Sequence, residues 1–109
     1  MKTVTIDMKD FSLAPFGRYT DDGLWNGEAF REKFLFEPFA DPQVDRVVVK
    51  LDSVVPGYEY GSSFLDEAFG GLVRVKGLHS ADVLRKLKVE TKNSDYIMEI
   101  KSYILEAGE

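Results

Sequence analysis

The run Arg46-Val47-Val48-Val49-Lys50-Leu51-Asp52-Ser53-Val54-Val55 limits what this chain can fold into more than any other stretch. β-Branched side chains crowd a helix and fit the pleat of a sheet, so Val44 to Val55 is expected to form a strand. Its near-continuous apolar character predicts burial on both faces and a central place in the sheet. The run leads into the turn Pro56-Gly57-Tyr58-Glu59-Tyr60-Gly61, after which a helix is expected from Ser63 to about Val73. Phe64, Leu65, Ala68, Phe69, Leu72 and Val73 form its single apolar stripe. A strand running directly into a helix begins a crossover and not a hairpin.

The other elements follow the same logic. Thr3 to Met8 alternates as a first strand. The next stretch is broken by Pro15-Phe16-Gly17 and Asp21-Asp22-Gly23, with room for a short strand around Arg18-Tyr19. Asn26 can cap a helix from Gly27 to about Phe36 that carries Phe30 and Phe34 on one face, and Pro38 and Pro42 are expected to end it. A third helix starts at Ser80 and buries Val83, Leu84 and Leu87. Leu87 to Thr91 is a short strand, and a last helix from about Asp95 to Ala107 aligns Ile97, Ile100 and Ile104. The order β, α, β, α, α, β, α predicts one α/β domain over residues 1–109, a small mixed sheet covered by helices.

Composition narrows the chemistry. A 44% hydrophobic chain of 109 residues is long enough for one real core. The absence of cysteine excludes disulfides and thiolate catalysis and argues against zinc. No segment has the apolar length of a membrane span or a signal peptide, so a soluble, cytoplasmic protein without membrane contact is expected. The net charge of −5 is uneven: residues 74–92 hold 6 of the 14 basic groups and only 2 of the 19 acidic ones. That segment reads as a solvated helix face with its loops, and an acidic domain is poorly suited to nucleic acid. Neither GxGxxG nor GxxxxGK[ST] occurs, and no loop gathers carboxylates for Mg²⁺. The lone His79 has no nucleophile at a recognisable spacing. No catalytic residue, metal or cofactor is expected, and nothing in the sequence fixes an oligomeric state.

Four features ask for a reason. Ser62 and Ser63 open the second helix, and Ser63-x-x-Asp66 has capping-box spacing, so one serine caps while the other hydroxyl is left over. A helix N-terminus also welcomes phosphate, which keeps a switch role for Ser62 or Ser63 open. Gly70-Gly71 sits inside a helix, where each glycine costs about 1 kcal/mol relative to alanine. Gly71 is expected to pack closely, whereas Gly70 points away from the stripe and could admit a partner's backbone. Arg18, behind a Pro/Gly turn and beside aromatics, suits a phosphate or carboxylate contact. Tyr58, Tyr60 and the outward Glu67 complete a surface for a partner protein, and Tyr58, Tyr60 or Trp25 could instead mediate self-association.

The block Gly61-Ser62-Ser63-Phe64-Leu65-Asp66-Glu67-Ala68-Phe69-Gly70-Gly71 follows a strand ending Leu51-Asp52-Ser53-Val54. With the upstream Pro15-Phe16-Gly17-Arg18-Tyr19, Asp22-Gly23 and Asn26 to Arg31, it resembles the STAS-like proteins of the DUF4325 group over residues 3–105. More distantly it is similar to the STAS domains of anti-sigma factor antagonists, in which a serine at this junction is phosphorylated by an ATP-binding kinase. The resemblance implies a STAS-like fold, a regulatory role, Ser62 as the counterpart of that serine, and a partner protein of kinase-like type. Gly61 and Phe64 depart from the antagonist motif, which has Asp before and Gly after its serine pair. The competing expectation is an enzyme or binder of phosphorylated metabolites or nucleotides that uses Arg18 and the helix N-terminus as an anion site.

Overall fold

The structure, a computed structural model, describes residues 2–109. Strand β1 is Thr3–Asp7, β2 is Arg46–Lys50 and β3 is Leu87–Glu90. Helix α1 covers residues 27–40, α2 residues 62–74, α3 Ser80–Lys86 and α4 Ser94–Ala107. Short 3-10 turns follow β1 at Met8–Asp10 and interrupt the next loop at Thr20–Asp22. No strand forms at Arg18-Tyr19.

The sheet has the order β1-β2-β3, with Ile6 opposite Val49 and Val49 opposite Val89. Both pairings are parallel, so the α/β class holds but the sheet is not mixed. The reason is the helix in each connection, which returns the chain to the same end before the next strand. β2 is central, yet only one of its faces is buried. Val47, Val49 and Leu51 join Ile6 and Met8 in the core, while Arg46 and Lys50 stay exposed and Val48 is half-buried. The other face also shows Thr3, Thr5, Lys88 and Glu90 to solvent. The charged alternates of the valine run set this one-sided burial.

All the large helices contribute to one apolar layer. Phe64, Leu65, Ala68, Phe69 and Leu72 of α2 are completely buried, as are Phe30 and Leu35 of α1 and Ile100 and Ile104 of α4. Each of these phenylalanine, leucine and isoleucine side chains stabilises the fold by about 1.5–3 kcal/mol through burial. Ile97, expected on the same line, is only partly covered, with 37% of its surface exposed. Leu87 belongs to β3 and not to the buried face of α3, which uses Val83.

Helices α1 and α2 each contain one widened turn, at Arg31–Leu35 and Asp66–Gly70. There the Phe36 N–H bonds back to the Arg31 carbonyl and the Gly71 N–H to the Asp66 carbonyl, five residues earlier. The widened turn in α1 lies just ahead of Pro38, which sits inside the helix and does not end it. A proline ring clashes with the preceding turn of a regular helix, and a turn opened by one residue relieves that contact. The helix stops instead at Asp41, extended at ψ 115° before Pro42. Lys86 Nζ closes its end by donating to the carbonyls of Phe39 at 3.0 Å and Asp41 at 2.9 Å.

Candidate functional site

The N-terminus of α2 begins one residue earlier than its serine spacing suggests. Gly61, extended at φ −77° and ψ 147°, is the N-cap, and no side chain caps the helix. Ser62 and Ser63 therefore occupy the first turn as exposed helical residues, and the capping role expected of Ser63 is not realised. The reason is positional: a capping hydroxyl must stand on the extended residue before the helix, and that residue here is a glycine.

The tyrosines of the turn are mostly not on the surface. Tyr60 is buried; its hydroxyl donates to the Leu51 carbonyl at 2.6 Å, and its N–H donates to the Tyr96 hydroxyl at 3.0 Å. Its ring meets those of Tyr58 and Tyr96 edge-on, at 4.9 and 5.2 Å between centroids. Tyr58 is half-buried and donates its hydroxyl to the Pro15 carbonyl. Burial pushes the Tyr58 phenol up to about 12 and raises Tyr60 further. Tyr60 is thus a core residue and not a contact for a partner or a second copy, because its ring completes the layer above Phe64.

Asp52 and Ser53, which the sequence shows only as the end of a strand, hold the carboxyl ends of all three strands together. Ser53 donates to the Asp7 carboxylate and accepts the Lys9 N–H at 3.0 Å, tying β2 to β1. The Ser53 hydrogen bond holds the Asp7 carboxyl below its ordinary value. Asp52 accepts from the Thr91 hydroxyl at 2.6 Å and the Lys92 N–H at 2.8 Å, tying β2 to β3. These side-chain bonds replace a continued strand, so β2 ends at Lys50 and not at Val55. An open hollow of about 600 Å³ lies beside them, lined by Asp52, Pro56, Tyr58, Tyr60, Lys92 and Tyr96.

Behind the turn lies an ion network centred on Glu67. Glu67 is 2% exposed, and its carboxylate accepts from Arg31 Nη1 at 2.7 Å; Arg31 is 1% exposed. The same Nη1 donates to the Glu67 carbonyl at 2.8 Å, and Arg31 Nε donates to Glu32 at 2.8 Å. Burial works against the Arg31 charge, but these carboxylate bonds outweigh it and raise its pKa. Arg18 Nη1 stands 2.7 Å from Asp66 and 3.5 Å from Glu67, and Arg74 lies 3.4 and 3.6 Å from the same two. The expected outer-face role of Glu67 is therefore corrected. Glu67 follows Phe64 by three residues and precedes Gly71 by four, which places it on the buried face. Arg18 does make a carboxylate contact, with Asp66 of its own chain.

The paired glycines serve the same network. A Cβ at Gly71 would overlap the Arg31 guanidinium, so the space belongs to the buried cation. Gly70 is also buried, and a Cβ there would stand 2.8 Å from Asp66 Oδ1 and 3.3 Å from the Tyr103 carbonyl. It faces α4 and not a partner, because the widened turn rotates this part of α2 away from regular helical spacing. Regular spacing could not show that rotation. Arg31 was also missed, although an arginine next to Phe30 opposite a helix with an inward glutamate is a readable signal.

Apolar groups lie outside this network. Phe16 is 66% exposed, Leu24 70% and Trp25 49%, and Leu13, Tyr19 and Val55 are also exposed. They are held by backbone bonds: Phe16 N–H to Trp25 at 2.8 Å, Gly27 N–H to Gly17 at 2.8 Å, and Val55 N–H to Leu13 at 2.9 Å. Gly17 adopts φ 84°, a left-handed turn that a side chain disfavours, and it packs on Asp22. Asp22 in turn accepts the Arg18 N–H at 3.0 Å. Loop 11–26 and turn 53–61 are thus one stitched surface.

The basic segment 74–92 is partly used within the fold: Arg74 pairs with Asp66, Lys76 with Glu32 at 2.9 Å over the Phe36 ring, and Lys86 closes α1. His79 precedes α3 and is exposed. Among the described residues no group of three or more His, Asp or Glu could hold a metal ion, and no helix is long and apolar enough to cross a membrane. No curated protein and no solved structure matches the chain. The family model described as the STAS-like domain of unknown function (DUF4325) matches residues 26–96, from the cap of α1 to Tyr96 of α4. That span includes β2, α2 with its widened turn, and both partners of the buried Arg31–Glu67 pair, and the chain belongs to this STAS-like DUF4325 family.

Proposed function

We propose that this is a small, non-catalytic regulatory domain that binds a partner protein in the cytoplasm through the stitched loops and the adjoining N-terminus of α2. The supporting observation is the pair of loops that hold six large apolar side chains in solvent by a fixed set of hydrogen bonds. Apolar side chains gathered at such a site favour contact with another molecule over solvation. The contact surface differs from the one expected of Tyr60, Glu67 and Gly70. It uses Phe16, Leu24 and Trp25, with Tyr58, Ser62 and Ser63 beside them.

Phosphorylation supplies the control in this reading, and an ATP-binding kinase-like protein is the proposed partner type. A phosphate on Ser62 would add about two negative charges one helical turn before Asp66. It would repel that carboxylate and compete with it for Arg18 and Arg74, loosening the bond that fastens loop 11–26 to α2. The test is affinity capture with wild type, Ser62→Asp and Phe16→Ser/Leu24→Ser, with phosphopeptides of the bait mapped in parallel. A partner lost with both variants, and phosphate on Ser62 or Ser63, is the expected result. A partner recovered equally by all three baits would remove both the surface and the switch.

A further inference from the structure

We infer that the partner segment seated on the stitched loops is basic and apolar: lysines or arginines flanking bulky hydrophobic residues. This deepens the proposed interaction role and rests on it. Charge complementarity selects such a segment. Residues 10–28 and 53–61 carry Asp10, Asp21, Asp22, Glu28 and Glu59, and their one cation is Arg18. Arg18 is already paired with Asp66 and Glu67 of α2. Asp10, Asp21 and Glu59 are exposed and, among the described residues, stand in no ion pair. Glu28 has only the end of Arg31 at 3.9 Å.

The apolar surface is therefore bordered by exposed carboxylates, of which Asp10, Asp21 and Glu59 stand in no ion pair among the described residues; the nearby lysines, Lys33 beside Leu24 and Glu28 and Lys92 beside Glu59, are fewer than the carboxylates. Such a border attracts cationic groups over a Debye length of about 8 Å and repels anionic ones. It disfavours nucleic acid and anionic membranes, both of which would bring further negative charge. It also disfavours a two-fold dimer through this surface, since each copy would set its carboxylates against the same carboxylates of the other. The loops are pre-shaped, because backbone bonds on both flanks fix Phe16 and Leu24 outward, so little ordering is needed on binding. Trp25 fits an anchoring role: its ring packs edge-on against Phe11 at 5.7 Å while half of it remains exposed.

The test is selection of a displayed random-peptide library on the purified chain, followed by affinities of the enriched peptides in low and high salt. Enriched peptides with net positive charge around aliphatic or aromatic residues are expected. Their affinity should weaken with salt, drop about tenfold or more in Phe16→Ser/Leu24→Ser, and drop severalfold in Asp21→Lys/Glu59→Lys. Circular dichroism on both variants checks that they are folded. Neutral or acidic peptides that are still lost in Phe16→Ser/Leu24→Ser would overturn the charge inference and leave the interaction surface standing. No enrichment, or peptides indifferent to Phe16→Ser/Leu24→Ser, would overturn both. Binding to phosphatidylserine vesicles, or dimerisation, that Phe16→Ser/Leu24→Ser abolishes would assign the surface to a different occupant.

Discussion

The buried seam between α1 and α2 and the loops outside it reverse the usual distribution of side chains. The seam holds Arg31 and Glu67 almost without solvent, while the loops leave about two-thirds of Phe16 and Leu24 in it. In the seam every charge has a partner within the chain: Glu67 meets Arg31, Arg18 and Arg74, and Arg31 meets Glu32 as well. In the loops, among the described residues, Asp10, Asp21 and Glu59 stand in no ion pair. Buried charge survives when it is paired, and a gathered exposed apolar surface is where contact with another molecule is proposed. The seam therefore accounts for architecture, and the loops are where an external contact is to be sought.

The strongest way to break the contrast is Glu67→Ala. It leaves the Arg31 guanidinium buried without its main counter-charge, a change that typically costs about 3–5 kcal/mol. Urea denaturation followed by circular dichroism should show a large fall in midpoint. The double variant Arg31→Met/Glu67→Met should recover much of it, since well-packed apolar replacements of a buried pair are often near neutral. A double variant as unstable as Glu67→Ala would mean that the seam depends on the Arg31 bonds to Glu32 and the Glu67 carbonyl, and not on the ion pair.

This seam also marks the limit of what the sequence discloses. The alternation of elements was readable, because β-branched runs and apolar stripes report strands and helices directly. The apolar stripe of α2 was read correctly from Phe64 to Leu72 because five of its members are buried wherever the exact turn falls. Gly70 is misplaced by regular spacing because the widened turn at 66–70 alters rotation about the helix axis, whereas the spacing of Glu67 from Phe64 and Gly71 already puts it on the buried face. Pro38 misled for the related reason that a widened turn can absorb a proline. Gly57, Glu59 and Gly61 suggest an exposed turn around Tyr60, but Leu51, Phe64 and Tyr96, the last 36 residues later, close over it. Arg18 was singled out for the right chemistry, a carboxylate contact, but the sequence could not show that Asp66 supplies it.

A smaller effect is expected where the two regions meet. Tyr58 bonds turn 53–61 to loop 11–26 through the Pro15 carbonyl, and burial raises its phenol from near 10 to about 12. A group with a raised folded pKa contributes stability that is complete below its unfolded value and is lost as pH rises through the folded one. The Tyr58 contribution is thus intact at neutral pH, begins to fall near pH 10 and is gone above about pH 12. Urea midpoints from pH 7 to 12 should decline over that window, and Tyr58→Phe should decline less. An equal decline in both would place the alkaline sensitivity elsewhere, with Tyr60 the next group to examine.

The smallest effect on the fold sharpens the comparison most. Phe16 and Leu24 project from loop 11–26 with about two-thirds of their surface in water. Replacing them by serine removes little buried area, and surface substitutions of this kind usually stay within about 0.5 kcal/mol. Phe16→Ser/Leu24→Ser should therefore unfold at nearly the same urea concentration as wild type, with an unchanged denaturant slope. A loss above about 1.5 kcal/mol would show that these side chains support the core and would withdraw them from any external role. Trp25→Ser provides the internal control. Its ring packs on Phe11, which is itself buried against Phe30 at 5.1 Å, so it should cost measurably more than either loop residue. Stability loss graded from Leu24 through Phe16 to Trp25 would trace the boundary between side chains the fold needs and those it leaves for a partner.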